Sequence, residues 1–206
     1  MKIKSIILIL AVVVALIAVF YTFQGDQGEA AYSEEIKKER EEKDRFMRTA
    51  SESPFAENRD AFKGLAYYPP NSRYRIIAEL NPVENKKVVL LSTNDGKEQR
   101  YMEYAYAEFD LDGYHNKLLI LEIMDMGAFR GKLFLSFGDE TSALETYGAG
   151  RYLDVVKMPG SKTITLDFNK AYNPYCAYTE KYSCPLPPSE NLLRVAIKAG
   201  EKIYEH

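Results

Sequence analysis

Residues 100–124 read RYMEYAYAEFDLDGYHNKLLILEIM, and this stretch decides the fold class. In the first half of this stretch, side chains at even and odd positions would point to opposite faces of one strand, which is the two-residue period of β-structure. Asp112-Gly113 then forms a turn, because such a pair tolerates positive φ. The apolar run Lys117–Met124 follows as the next strand. The stretch therefore predicts two antiparallel strands joined by a tight turn.

The same period extends over most of the chain from Phe62 onward. Turn residues such as Asn94-Asp95-Gly96 and Pro159-Gly160 separate short strand-like segments, with no helical stretch between them. Strands at this spacing predict a mainly β domain, either an antiparallel β-sandwich or a small β-barrel. The further predicted strands are Phe62–Asn71, Arg73–Leu80, Lys86–Thr93, Lys132–Gly138, Arg151–Lys157, Thr163–Phe168 and Leu192–Ala199.

Length, composition and charge limit the possible functions. The 206 residues allow one domain with a core, which we place at residues 53–206, and the 16 tyrosines suit half-buried sheet surfaces. The formal net charge is −3 and the basic residues form no stripe, which argues against nucleic acid as a partner. Only His115 and His206 are available as imidazole ligands. The sequence therefore predicts no metal site and no cofactor.

Residues 1–24 predict a membrane anchor or an uncleaved signal segment. Lys2 and Lys4 precede an uncharged run from Ser5 to Gln24. As a helix, Ile6–Phe23 would extend about 27 Å, close to the ~30 Å hydrocarbon core of a bilayer. A cleaved signal peptide is the less favoured alternative, because bulky residues stand where the cleavage site needs small ones. The two lysines place the N-terminus in the cytoplasm and the body on the extracytoplasmic, periplasmic side.

Residues 25–52 predict a polar hinge followed by a charged helix from Ala30 to Ala50. Oppositely charged side chains recur four residues apart, and such exposed pairs stabilise a helix only weakly. The apolar stripe is thin. We therefore expect a solvated stalk that docks at its ends, rather than a helix packed along its whole length. The stripe consists of Tyr32, Ile36, Phe46, Met47 and Ala50.

Residues Asp167–Asn191 form an irregular segment that contains both cysteines, four prolines and four tyrosines. It has neither a helical nor a strand period, and it is too aromatic for a solvated linker, so we expect an ordered loop packed against the sheet. Cys176 and Cys184 are eight residues apart, which fits no redox Cys-x-x-Cys motif. In an oxidising compartment a disulfide between them is the simplest interpretation, and two reduced, buried thiols are the alternative.

A candidate ligand pocket gathers polar side chains around the glycines at 148 and 150. Those glycines allow close approach of the backbone, and an arginine offers a planar fork for a carboxylate or phosphate. In the alternative interpretation, the acids pair with the arginine and the glycines serve strand bulges. The candidate residues are Asp139, Glu145, Tyr147 and Arg151, with Asp167, Asn169, Tyr172 and Asn173 from the irregular loop.

Ordered motifs follow one another along the chain from Tyr32 onward: Ser53-Pro54-Phe55, Phe62-Lys63-Gly64-Leu65, Tyr67-Tyr68-Pro69, Asp139-x-Thr141, residues 145–153, Asp167-Phe168-Asn169, Cys176-Ala177-Tyr178, residues 184–188, Glu190-Asn191 and residues 199–202. With these motifs the chain resembles the bacterial domain-of-unknown-function family 1684. The sequence departs from the family pattern at Ser136, Ala143 and Thr179, which affects local turns. The resemblance implies a membrane-anchored or secreted protein, and it implies no particular reaction.

Two functions are compatible with these features. The first is a membrane-anchored extracytoplasmic β-domain that binds a ligand or an envelope partner without catalysis, for example as an accessory subunit of a membrane complex. The alternative is a hydrolase in which Asp139, Glu145 or Asp167 acts as acid or base and Arg151 positions an anionic substrate.

Overall fold

The computed structural model describes Val13 and residues 28–125, 127–156 and 158–205. Residues 28–49 are helical and form α1. Short 3₁₀ turns interrupt the irregular segments, for example at Tyr175–Ala177 and Ser189–Asn191. The strands are β1 Arg75–Pro82, β2 Val88–Ser92, β3 Glu98–Leu111, β4 Tyr114–Ile123, β5 Leu133–Phe134, β6 Ser136–Phe137, β7 Arg151–Tyr152 and β8 Thr163–Asp167.

The predicted anchor, residues 1–24, lies outside the described residues except for Val13. Among the residues that are described, no helix combines the length and the apolar composition needed to cross a bilayer.

The strands form two antiparallel sheets. In the larger sheet the order is β5-β4-β3-β1-β8, and β2 also pairs with β3. Because β4 occupies one edge of β3, β1 and β2 share the other edge, β2 at residues 98–102 and β1 at residues 105–108. β6 and β7 form the smaller sheet. The antiparallel, mainly β class is confirmed, and the closed-barrel alternative is wrong, because the described strands end at free edges in β5 and β8.

The apolar run in β4 is continuous because β4 is buried on both faces. Leu118 and Ile120 belong to the main core, which contains side chains from the large sheet, from β6 and from the C-terminal segment. Leu119 and Leu121 point the other way into a second apolar cluster that includes Tyr101. Strands covered on both sides carry uninterrupted apolar runs.

Three predicted strands are mainly irregular, although most of their apolar side chains are buried. Residues 62–71 contribute only a bridge from Tyr67 to Glu201, and residues 192–199 contribute only a bridge from Leu192 to Gly138. The predicted strand from Arg151 ends at Tyr152. Side chains supply the hydrogen bonds that a neighbouring strand would otherwise make. A buried carbonyl group needs a hydrogen-bond donor, and that donor does not have to belong to a strand. For residues 192–199 that donor is a buried guanidinium, described below.

Helix α1 packs against the domain along its described length, so the expectation of a solvated stalk is wrong. Tyr32, Ile36 and Met47 are buried at 7%, 1% and 1% exposure. Between them, Arg40 donates to the carbonyl oxygens of Tyr68 and Asn169. The face of α1 that packs on the domain therefore includes charged side chains. Such side chains bury their aliphatic stems, while their charged groups form hydrogen bonds.

Candidate functional site

Arg151 and Asp139, the centre of the predicted pocket, form a buried ion pair. Their side chains are 1% and 0% exposed, and Arg151 Nη2 donates to Asp139 Oδ2 over 2.8 Å. The guanidinium also donates to the carbonyl oxygens of Ile197, Ala199 and Glu201. The pairing of Asp139 with Arg151 agrees with the alternative interpretation of these residues. The pair also fastens the C-terminal segment, and it is closed to a substrate.

Gly150 precedes this arginine for reasons of packing. Its φ is +87°, and a Cβ atom there would lie 2.7 Å from the carbonyl oxygen of Phe137 and 2.5 Å from Cγ of Pro187. Only glycine adopts this conformation without strain and leaves room for that approach. Gly150 thus lets its own backbone approach β6 and the irregular loop closely, and this close approach does not involve a ligand.

Glu145 and Tyr147 make their side-chain contacts with residues other than Arg151 and Asp139. Glu145 binds Lys198 with 2.9 Å between carboxylate and ammonium, and this hydrogen bond lowers the pKa of the carboxyl. The Tyr147 hydroxyl lies 3.8 Å from Cys176 Sγ. With Asp139 buried and Glu145 paired, the acids do not converge on an accessible arginine, so the arrangement gives the hydrolase alternative no support.

The predicted disulfide is absent from the structure, in which Cys176 and Cys184 are both free thiols. The segment does bring the two residues into contact, because the backbone N–H of Cys176 donates to Cys184 Sγ over 3.3 Å. A hydrogen bond from the Cys184 thiol lowers the pKa of Cys176 to about 7, and the same bond raises the pKa of Cys184. The loop is held at this point by hydrogen bonds from thiols and amides instead of by a covalent bond.

Asn169 and Asn173 are buried at 1% and 0% exposure and anchor the irregular loop. Asn169 exchanges two hydrogen bonds with the backbone of Asn71, 2.9 Å and 2.8 Å long. Asn173 Nδ2 donates to Glu201 Oε1 and to the carbonyl oxygen of Lys202. Both side chains are buried and bond to other segments of the same chain, although Asn173 Oδ1 has no hydrogen-bond partner among the described residues, and neither side chain lines the cleft described below.

Glu201 is a buried carboxylate that the sequence analysis did not single out. It is 1% exposed and accepts hydrogen bonds from Asn173 and from the Tyr178 hydroxyl. Its other oxygen lies 3.1 Å from Nζ of Lys43, on α1. One acid thus joins the helix, the loop and the C-terminal segment. The only feature of the sequence that could have pointed to Glu201 is its position directly after Gly200 in a family motif.

An accessible cleft of about 580 Å³ lies at part of the predicted site, between α1, the β1/β8 pair and the loop. Of the predicted pocket residues, Asp167 and Tyr172 line it, and the other six do not. Its volume lies in the usual range of small-molecule sites. The lining residues are Glu39, Lys43, Phe46, Met47, Arg75, Leu153, Asp154, Thr165, Asp167, Lys170, Tyr172 and Tyr175.

Of the six charged side chains that line this cleft, Glu39, Lys43 and Lys170 are neutralised by ion pairs within the protein. Lys170 Nζ lies 2.7 Å from Glu39, and Lys43 pairs with Glu201 while lying 4.4 Å from the ring centroid of Tyr172. Asp167 Oδ1 accepts a hydrogen bond from the Tyr32 hydroxyl over 2.8 Å. Burial, followed by this bond to the carboxylate, raises the pKa of Tyr32.

Three charged side chains at the cleft make no ion pair with any described residue: Asp167, which is buried, and Arg75 and Asp154, which are exposed. The exposed guanidinium of Arg75 lies over the ring of Tyr32, 5.4 Å from its centroid. Asp154 is exposed and accepts a hydrogen bond from the Tyr172 hydroxyl over 2.8 Å. The pKa of Tyr172 is raised, mainly by burial and then by the charge of Asp154. One cation and one anion are thus left facing solvent beside aromatic rings.

Comparison with known proteins confirms the resemblance seen in the motifs. A family model described as "Protein of unknown function (DUF1684)" matches residues 60–202. The chain is similar to the solution NMR structure of an uncharacterized protein from Haloarcula marismortui, with 37% sequence identity and a TM-score of 0.63. That match covers 86% of this chain and 97% of the other. No curated protein matches the chain.

Proposed function

The chain belongs to the DUF1684 family of proteins of unknown function, and we propose that it is a non-catalytic domain that binds a small zwitterionic molecule in the cleft beneath α1. The observation that carries this proposal is the placement of Arg75 and Asp154 at one cleft, both without an ion-pair partner among the described residues. A ligand that carries one anionic and one cationic group would pair with both.

Arg75 supplies the anion-binding end. Its guanidinium is planar and offers several donors, which suits a phosphate or carboxylate bound through two parallel hydrogen bonds. The Tyr32 ring beneath it holds the guanidinium by a cation–π contact, so less side-chain freedom is lost when the ligand binds.

Asp154 supplies the cation-binding end, together with aromatic rings. Phe46, Tyr172 and Tyr175 line the same cleft, and each is partly exposed. A quaternary ammonium group is attracted both by a carboxylate and by the faces of aromatic rings. We therefore choose glycerophosphocholine, a phosphodiester zwitterion with a quaternary ammonium, as the probe.

Calorimetric titration of the full chain in amphipol with glycerophosphocholine tests this function. We expect a dissociation constant of roughly 1 mM, the value for a head group with few contacts. Arg75→Gln should weaken binding about tenfold, because one charge-assisted interaction is worth about 1.5 kcal/mol. Arg73→Gln removes the same charge from a neighbouring arginine that instead pairs with Asp112, and it should leave the affinity unchanged. No heat from the unaltered chain, or equal losses in both variants, would rule the proposal out.

We further propose that residues 1–24 hold the domain at a membrane with its body on the extracytoplasmic side. The uncharged run from Ser5 to Gln24, preceded by Lys2 and Lys4, supports this placement. We expect the full chain to stay in carbonate-washed membranes and a chain lacking residues 2–24 to be released. Recovery of the full chain in the soluble fraction would contradict the proposal.

A further inference from the structure

A second cavity adjoins the cleft, and most of its lining is apolar. It has a volume of about 620 Å³. Asp154 and Tyr172 line both cavities, so the two adjoin at the carboxylate assigned to the cationic end of the ligand. Apolar side chains that line the second cavity, which we call the apolar groove, are Ile123, Phe129, Leu133, Phe134, Val155 and Val156.

The apolar groove presents large hydrophobic side chains to water. Phe129 is 51% exposed and Val156 is 74% exposed. Isolated exposed apolar residues are ordinary, but several that line one concavity are typical of a ligand site. At this site, Lys132 Nζ lies 4.7 Å from the ring centroid of Phe129 and makes no ion pair with a described residue.

We propose that the cleft and the apolar groove together bind one zwitterionic amphiphile with a single alkyl chain. Its head lies between Arg75 and Asp154, and its chain runs from Tyr172 along Phe129 and Val156. This inference rests on the proposed function and adds to it the class of ligand, an amphiphile of the lysophospholipid type.

The lining residues that the two cavities share favour one occupant over two. Asp154 is the polar end of the apolar groove and also the edge of the cleft, so a chain leaving the head enters apolar surroundings at once. A purely apolar molecule would leave Arg75 and Asp154 without partners. A purely polar molecule would leave Phe129 and Val156 in water, and covering such side chains is favourable in proportion to the apolar area removed from water.

The alkyl-chain dependence of affinity tests the inference. The probes are dodecylphosphocholine, held below its critical micelle concentration, and glycerophosphocholine, both titrated into the full chain in amphipol. We expect dodecylphosphocholine to bind at least about 100-fold more tightly, since each buried methylene strengthens binding up to about fourfold. Equal affinities would overturn the amphiphile while leaving the zwitterion site intact. No binding of either probe would remove both.

Matched variants locate the chain. The double variant Phe129→Ser, Val156→Ser should weaken dodecylphosphocholine binding at least about tenfold and change glycerophosphocholine binding by less than about twofold. The control is Val88→Ser, Leu90→Ser on β2, two apolar residues that are 48% and 54% exposed and lie outside both cavities.

All four sites are exposed, so we expect both double variants to fold, which a melting curve verifies. An equal loss in the control would mean non-specific adsorption and would overturn the inference. The orientation is tested with Lys132→Gln, which should leave the affinity for dodecylphosphocholine unchanged, whereas Arg75→Gln should lower it about tenfold. The reverse pattern would place the head at Lys132 and contradict the assignment.

Discussion

Replacing Arg151 with methionine is expected to lower the free energy of unfolding by about 3–5 kcal/mol, the usual cost of removing one partner from a buried ion pair. The methionine fills a similar volume but leaves the Asp139 carboxylate buried without its cation. It also removes the donor to the carbonyl oxygens of Ile197, Ala199 and Glu201. Since whole domains are stable by only about 5–15 kcal/mol, this one change would bring the fold near its limit.

Urea denaturation monitored by tyrosine fluorescence measures the effect. The matched control is Arg100→Met, which removes an exposed arginine paired with Asp125 over 2.6 Å. Exposed pairs contribute about 0–1 kcal/mol, so the control should unfold close to the unaltered chain. If Arg151→Met expresses too poorly to unfold reversibly, Arg151→Lys keeps the charge, and we expect it to recover part of the loss. Equal midpoints for Arg151→Met and Arg100→Met would contradict the role given to the ion pair.

Replacing Asn191 with leucine is expected to cost about 3 kcal/mol or more, because it leaves three buried backbone groups without partners at about 1–3 kcal/mol each. The Asn191 side chain accepts from the backbone N–H of Leu119 over 2.6 Å. Its Nδ2 donates to the carbonyl oxygens of Leu119 and Ser136. This amide, 0% exposed, therefore fixes the end of the irregular loop to β4 and β6.

Asn58→Leu is the control for this substitution, because Asn58 is exposed and its side chain makes no capping hydrogen bond. We expect its unfolding free energy to change by less than about 0.5 kcal/mol. The same urea titration compares the two variants. A small effect at both positions would mean that water replaces the Asn191 amide without cost, contrary to the account of how the loop is held.

The β3–β4 hairpin could be predicted from the sequence because its information is local. Alternating side chains over residues 100–107 and the pair Asp112-Gly113 specify two strands and their turn, and the structure pairs Leu111 with Tyr114 across it. Asp112 and Gly113 both adopt positive φ, 54° and 80°, as the turn requires. The register shift between Glu103 and Ala105 has no such local signal, and it decides which face of the hairpin joins which core.

The packing of α1 could not be predicted from its hydrophobic pattern. Its inward stripe includes Arg40 and Lys43, which a pattern of apolar residues leaves on the solvent side. Arg40 bonds to two backbone carbonyls, and Lys43 to Glu201, a residue more than 150 positions away. The sequence pattern gives no sign of partners so far away along the chain. Because of these contacts, the helix that was predicted to be a stalk packs on the domain and lines the cleft.

The candidate site was predicted only in part for the same reason. Asp167 and Tyr172 do line the cleft, since they belong to the irregular loop that closes it. Arg151 and Asp139 looked like a binding pair because a charged fork beside glycines is common at ligand sites. Whether such a fork faces a ligand or three of the protein's own carbonyls depends on how Ile197, Ala199 and Glu201 run past it. Arg75, by contrast, was not predicted as a site residue, because it lies within a predicted strand.

The most direct test of the central claim, a zwitterion site in the cleft, is an amide NMR titration of the full ¹⁵N-labelled chain in amphipol with glycerophosphocholine. We predict that saturable shift changes concentrate in residues 39–47 of α1, at Arg75 and in residues 153–175. We also predict that they need about tenfold more glycerophosphocholine in Arg75→Gln and are unaltered in Arg73→Gln. Shift changes that are absent, or that centre on a separate cavity of about 290 Å³ lined by Gly148, Gly150 and Pro187, would contradict the zwitterion site in the cleft.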